Sequence, residues 1–87
     1  MEIKILRENK NELEVELDSL SIAEILRVYL NKNDDVSIAA WKKEHPTKKP
    51  VLFVKTKKDD VKKVIEKAVL EITKDLEKVE EDFKKIN

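Results

Sequence analysis

The chain has 87 residues and a mass of 10.2 kDa, enough for one small domain and too few for two. Its 19 Lys and Arg balance 19 Asp and Glu in a sequence that is 44% charged, which argues against a general binder of nucleic acid or anionic membrane. The lack of Cys removes disulfides, thiol chemistry and cysteine metal sites, and the lack of Gly removes the backbone turns that cradle phosphates in nucleotide loops. The 40% of hydrophobic residues recur periodically, the mark of a folded domain rather than a disordered polyelectrolyte. Met1 to Leu6 alternates charged and apolar residues, unlike a secretory signal, and no apolar run approaches membrane-spanning length. A soluble cytoplasmic protein is expected.

Ile3 and Ile5 alternate with charged neighbours, and Leu13, Val15 and Leu17 alternate with Glu14 and Glu16, the period of half-buried strands. Between them Glu8-Asn9-Lys10-Asn11-Glu12 predicts an antiparallel hairpin turn, with Asn taking the left-handed backbone that Gly would otherwise supply. The period then changes. Ile22, Ile25, Leu26 and Tyr29 fall at helical spacing and predict a helix from about Ile22 to Lys32. Ser21 and Glu24 have capping-box spacing, and Leu20 and Ile25 stand where a hydrophobic staple would close. Asn31-Lys32-Asn33-Asp34-Asp35 breaks the helix. Val36 to Trp41 and Val51 to Thr56 read as a third and fourth strand, separated by a loop containing His45-Pro46 and Pro50.

A long helix closes the chain. Asp59 and Asp60 suit its start, and Val61, Val64, Ile65, Ala68, Val69, Ile72, Leu76, Val79, Phe83 and Ile86 recur at steps of three and four. From Asp60 to Ile86 it would measure ~40 Å, whereas a compact globule of this size is about 30 Å across. Its last turns must overhang. Ile72, Leu76, Val79, Phe83 and Ile86 then form a coiled-coil-like seam that the sheet cannot cover, an expected partner surface. The fold class is α+β: a four-stranded, mainly antiparallel sheet with two helices on one face, in the order ββαββα.

Chemistry is weakly signalled. His45 is the single histidine and stands beside a proline, where a structural role outweighs catalysis or metal binding. Glu77, Glu80, Glu81 and Asp82 interleave with Lys74, Lys78, Lys84 and Lys85 at helix-supporting spacing. Residues 42 to 58 hold seven Lys against one Glu, a local excess of six set against minus four before it and minus two after it. That segment could meet phosphate, as in a stand-alone homodimeric nucleic-acid-binding module. Only Trp41 and Phe53 are near enough to stack on bases, so a solvated loop or an acidic protein partner is the preferred reading.

Met1 to Leu6, the Ala39-Ala40-Trp41-Lys42-Lys43-Glu44-His45-Pro46 stretch and the capped helix before it resemble the archaeal L subunits of DNA-directed RNA polymerase. Those correspond to the eleventh subunit of eukaryotic RNA polymerase II and, more distantly, to the amino-terminal domain of the bacterial alpha subunit. The resemblance spans residues 1–87 in length and element order. Its most specific piece is an aromatic residue followed four positions later by His-Pro, here Trp41 and His45-Pro46, where the family usually has Tyr. The family's Asp-His-Thr-Leu-Gly-Asn reads Ser19-Leu20-Ser21-Ile22-Ala23-Glu24 here, which marks a divergent member. The resemblance implies a single dimerisation domain with no catalytic site, cofactor or metal. It implies pairing with the D-type subunit of the polymerase through Ile72, Leu76, Val79, Phe83 and Ile86, a platform for the large catalytic subunits, and a large-subunit contact at Ser21, Glu24 and Arg27. His45 would hold its loop.

Overall fold

The computed structural model describes residues 3–86, with Ile86 described by its backbone alone. Met1 and Glu2 of the predicted first strand, and the side chain of Ile86 in the seam, lie outside the described residues. The elements are β1 (Ile3–Glu8), β2 (Glu12–Leu17), α1 (Leu20–Leu30), β3 (Val36–Lys42), β4 (Val51–Thr56) and α2 (Val61–Ile86). The strands form one sheet in the order β1-β2-β4-β3, antiparallel throughout, so β1 and β3 are its edges.

Register decides what the sheet offers on each face. Ile5 lies opposite Val15, Val15 opposite Leu52 and Leu52 opposite Trp41, and a second row runs Leu13, Val54, Ala39. These rows face the helices, where Ala23 and Leu30 of α1 and Val61, Val64 and Ala68 of α2 close over them in one buried cluster. Both helices therefore lie on one face, as the alternation in β2 requires: Leu13, Val15 and Leu17 are buried and the intervening glutamates are not. The opposite face carries Glu14, Phe53 and Ala40 in one row and Lys4, Glu16, Val51 and Lys42 in the next. Both edges are irregular. The register slips at Leu6 in β1 and at Ser37 in β3, bulges of the kind that discourage edge-to-edge pairing.

Four local expectations are corrected. The β1–β2 turn uses no left-handed residue, and no described backbone has positive φ. Instead the Asn9 side chain builds the turn, its Oδ1 accepting from the N–H groups of Asn11 at 3.1 Å and Glu12 at 2.9 Å. Helix α1 starts and ends two residues earlier than the spacing predicts. Its N-cap is Ser19, whose hydroxyl oxygen accepts from the Ile22 N–H at 3.3 Å. Ser21 is thus inside the helix, and no capping box joins it to Glu24, whose carboxylate is engaged by Arg27 and Trp41. With the cap at Ser19 the staple positions shift as well, and Leu20 and Ile25 are both exposed.

Helix α2 is capped as expected at Asp60, whose Oδ1 accepts from the Lys62 N–H at 2.9 Å. Asp59 contributes by its backbone instead: its carbonyl accepts from Thr56 Oγ1 at 2.6 Å and Asn11 Nδ2 at 3.1 Å. The Val61 N–H donates to the Lys10 carbonyl at 2.8 Å. The hairpin turn therefore holds the start of α2 and sets its path across the sheet. With 26 residues this helix is ~39 Å long at 1.5 Å per residue. The longest extent of the molecule is 45 Å, and its radius of gyration of 14.4 Å exceeds the ~12 Å of a compact chain this long. The overhang inferred from length is present.

Candidate functional site

Burial along α2 falls off in sequence order. Val61, Val64 and Ala68 are buried and Ile72 is half-buried, but Leu76, Val79 and Phe83 are 63%, 50% and 65% exposed. A terminal helix with nothing beneath it has no need of apolar residues at these spacings. Each such side chain yields about 1.5–3 kcal/mol when buried. The stripe is therefore apolar surface that this chain leaves uncovered.

Beside the stripe lies a groove of about 450 Å³, walled by β1, α1 and α2 and floored by β2 and β4. Its walls are almost wholly apolar: Ile3 and Ile5 from β1, Ile25 from α1, and Ile65, Val69 and Leu76 from α2. Ile3 and Ile5 point to the helix side of the sheet, opposite Leu17 and Val15, yet are 57% and 54% exposed. The reason is geometric. β1 is the outermost strand, and neither helix reaches over it. Lys62 closes the groove where α2 begins, its Nζ 2.6 Å from Glu8 Oε1 on the edge strand. This carboxylate raises the Lys62 pKa. Stripe and groove are continuous through Ile72 and Leu76, which line the groove and begin the seam.

A second cluster joins α1 to β3. Glu24 is paired with Arg27 one turn later, and the Trp41 Nε1–H donates to Glu24 Oε1 at 3.3 Å. The hydrogen bond from Arg27, and then that from Trp41, hold the Glu24 carboxyl below the usual carboxylate range. Ser21 is exposed on the same helix, so Ser21, Glu24 and Arg27 follow one another at three-residue steps along α1, from its first turn to its last. His45 and Pro46 are exposed and lie apart from them in the β3–β4 loop, where the His45 carbonyl accepts from the Lys48 N–H at 3.0 Å. Further along α1, the Tyr29 hydroxyl donates to Asp75 Oδ2 on α2 at 2.6 Å, and Lys32 Nζ sits 4.4 Å from the centre of the Tyr29 ring.

The lysines of residues 42 to 58 do not form one patch. Lys42, Lys43, Lys48 and Lys49 gather at one end of β4, Lys57 and Lys58 at the other, ~20 Å away along the strand. Lys55, between them, lies 3.9 Å from Glu12 Oε1. The structure thus divides a charge excess that is contiguous in sequence. Among the described residues no cluster of His, Asp and Glu has a metal-holding arrangement, and no helix is long and apolar enough to cross a membrane.

The groove wall on β1 was missed by sequence reasoning. Alternation marks Ile3 and Ile5 as inward-facing, but only the strand order shows that β1 is an edge and that these residues stay open.

Comparison with known proteins places this fold in a family. The family model for the RNA polymerase Rpb3/Rpb11 dimerisation domain matches residues 4–82. The chain belongs to this family, as an RNA polymerase subunit of the Rpb11/L type that carries a dimerisation domain and partners within the polymerase. It is 31% identical over 88 residues to the DNA-directed RNA polymerase subunit Rpo11 of Methanococcoides burtonii, covering 98% of this chain and 97% of that one. Its fold matches the crystal structure of DNA-directed RNA polymerase subunit L from Thermoplasma acidophilum with a TM-score of 0.84. That match has 24% identity and covers 97% of this chain and 86% of the other.

Proposed function

We propose that residues 1–87 form a single non-catalytic dimerisation domain that pairs with the polymerase's D-type subunit, and that the pair is the platform on which the large catalytic subunits assemble in the cytoplasm. The observation that carries this reading is the continuity of the exposed α2 stripe with the apolar groove. A related fold with its own projecting helix can lay that helix in this groove while accepting Leu76, Val79 and Phe83 in return. Ile72 and Ile86 extend the same seam at its two ends. Ser21, Glu24 and Arg27, remote from the groove floor, are left to meet a large subunit. Trp41 supports that contact through Glu24, while His45 and Pro46 shape the β3–β4 loop. No cofactor or small-molecule substrate enters this role. The nucleic-acid alternative lacks support from geometry, because its lysines are split between two ends of a strand.

The test is co-expression with the D-type subunit of the same polymerase and measurement of mass by light scattering, with a 1:1 complex expected. Leu76→Asp with Phe83→Asp replaces two exposed apolar groups by charges, so the isolated chain should fold normally while its affinity for the partner falls at least a hundredfold, about 2.7 kcal/mol. Undiminished pairing by this double variant sinks the seam assignment.

A further inference from the structure

Helix α2 has two halves with different support. Up to Ala68 it is fastened by buried side chains, and Ile72 is still half-covered. Asp75 is the last of its described residues to make a side-chain hydrogen bond or ion pair with another element, through Tyr29. Beyond it, among the described residues, the side-chain polar contact of the helix is internal, Lys84 with Glu80. The eleven residues from 76 to 86 therefore project as a lever of ~16 Å. A tilt of about 10° at Asp75 would move Phe83, ~12 Å further along, by roughly 2 Å. Interdigitated side chains do not tolerate such a shift, since gaps of about 0.5–1 Å already forfeit much of the contact energy. Something must fix the direction of the lever before the partner arrives, or the partner's binding must order it.

We infer that the Tyr29–Asp75 hydrogen bond is a positioning contact for pairing: it sets the direction in which the free half of α2 leaves the fold, and so the register in which a partner meets Leu76, Val79 and Phe83. The inference rests on the α2 seam being the pairing surface. Three features suit Tyr29 to this role. It is the penultimate residue of α1, and its neighbour Leu30 is buried in the core, which anchors its backbone. Its ring carries the Lys32 ammonium 4.4 Å from its centre, a cation–π contact that favours this rotamer. Its hydroxyl meets a carboxylate at 2.6 Å, a charge-assisted bond stronger and more directional than a neutral one.

The experiment compares full-length wild type, Tyr29→Phe and Asp75→Asn. Tyr29→Phe keeps the ring and its Lys32 contact and removes only the donor; Asp75→Asn keeps an acceptor oxygen. Each is titrated with the D-type subunit, and each is spin-labelled at Lys43→Cys and Lys85→Cys, which is clean because the chain has no native cysteine. The labelled free chain is diluted with unlabelled protein, and the label separation is read by pulsed electron paramagnetic resonance. We expect Tyr29→Phe to melt within about 3 °C of wild type, to broaden the distance distribution, and to weaken pairing about fivefold, the scale of one hydrogen bond. Asp75→Asn should stay within about twofold of wild type, and Tyr29→Phe combined with Asp75→Ala should lose no more than either alone. An unchanged distribution in Tyr29→Phe, or a broadened one with wild-type affinity, overturns the inference. Failure of the wild-type chain to bind the D-type subunit would overturn the proposed partner instead, while the distance distribution still decides whether Tyr29 and Asp75 direct the helix.

Discussion

Glu24 shows how a surface residue acquires a defined chemistry from its surroundings. Arg27 and Trp41 both donate to its carboxylate, and its pKa is lowered as a result. A carboxylate whose folded pKa lies below its unfolded one stabilises the fold at pH above the unfolded value and loses that contribution as pH falls through the folded one. Trp41 is the single tryptophan, so its fluorescence reports this titration directly. We expect an emission change with a midpoint below the usual carboxylate range, absent in Glu24→Gln; a midpoint within the usual range, or an unchanged transition in Glu24→Gln, would contradict the geometry. This contact also explains a residue-scale misreading. Ser19-Leu20-Ser21 offers two hydroxyls that could cap a helix, and Glu24 three residues after Ser21 points to the second. The competitor for Glu24 is Trp41, seventeen residues away, which only the folded sheet brings near. Ser19 caps alone. Likewise, Asn9 closes the hairpin by its side chain where the turn composition predicts a left-handed backbone, because either solution satisfies the same sequence.

At the scale of elements, periodicity carries most of the fold. Strict alternation places β2, the step of three and four places both helices, and the mismatch between helix length and globule diameter places the overhang. What periodicity does not reveal is strand order, and the groove depends on it. Ile5 and Leu52 both read as inward-facing strand residues, yet Leu52 is 1% exposed on a central strand and Ile5 lies open on an edge. Their substitutions should therefore separate folding from pairing. Leu52→Ala leaves a cavity under both helices and should cost about 2–5 kcal/mol in denaturant unfolding. Ile5→Asp should leave the unfolding free energy of the isolated chain within about 1 kcal/mol of wild type while abolishing binding to the D-type subunit. Equal loss of stability in the two variants would mean that β1 belongs to the core and that its apolar face is not a docking wall.

For the molecule as a whole, zero net charge conceals an uneven distribution that the fold then disperses. The six-charge excess of residues 42 to 58 is parted by the length of β4, so its lysines gather at two ends rather than one. What remains concentrated is apolar surface: one groove, and one helix projecting past it. A chain of 87 residues has a small core, and binding a partner adds to its stability by mass action. Fold and assembly are thus linked through the same residues. The most direct test is amide hydrogen exchange of the full chain, alone and with the D-type subunit bound. We expect residues 76–86 and 3–6 to exchange quickly in the free protein and to gain protection in the complex, with the amides of β4 unchanged. Protection that appears across β3 and β4 while residues 76–86 stay unprotected would contradict pairing through the α2 seam and its groove.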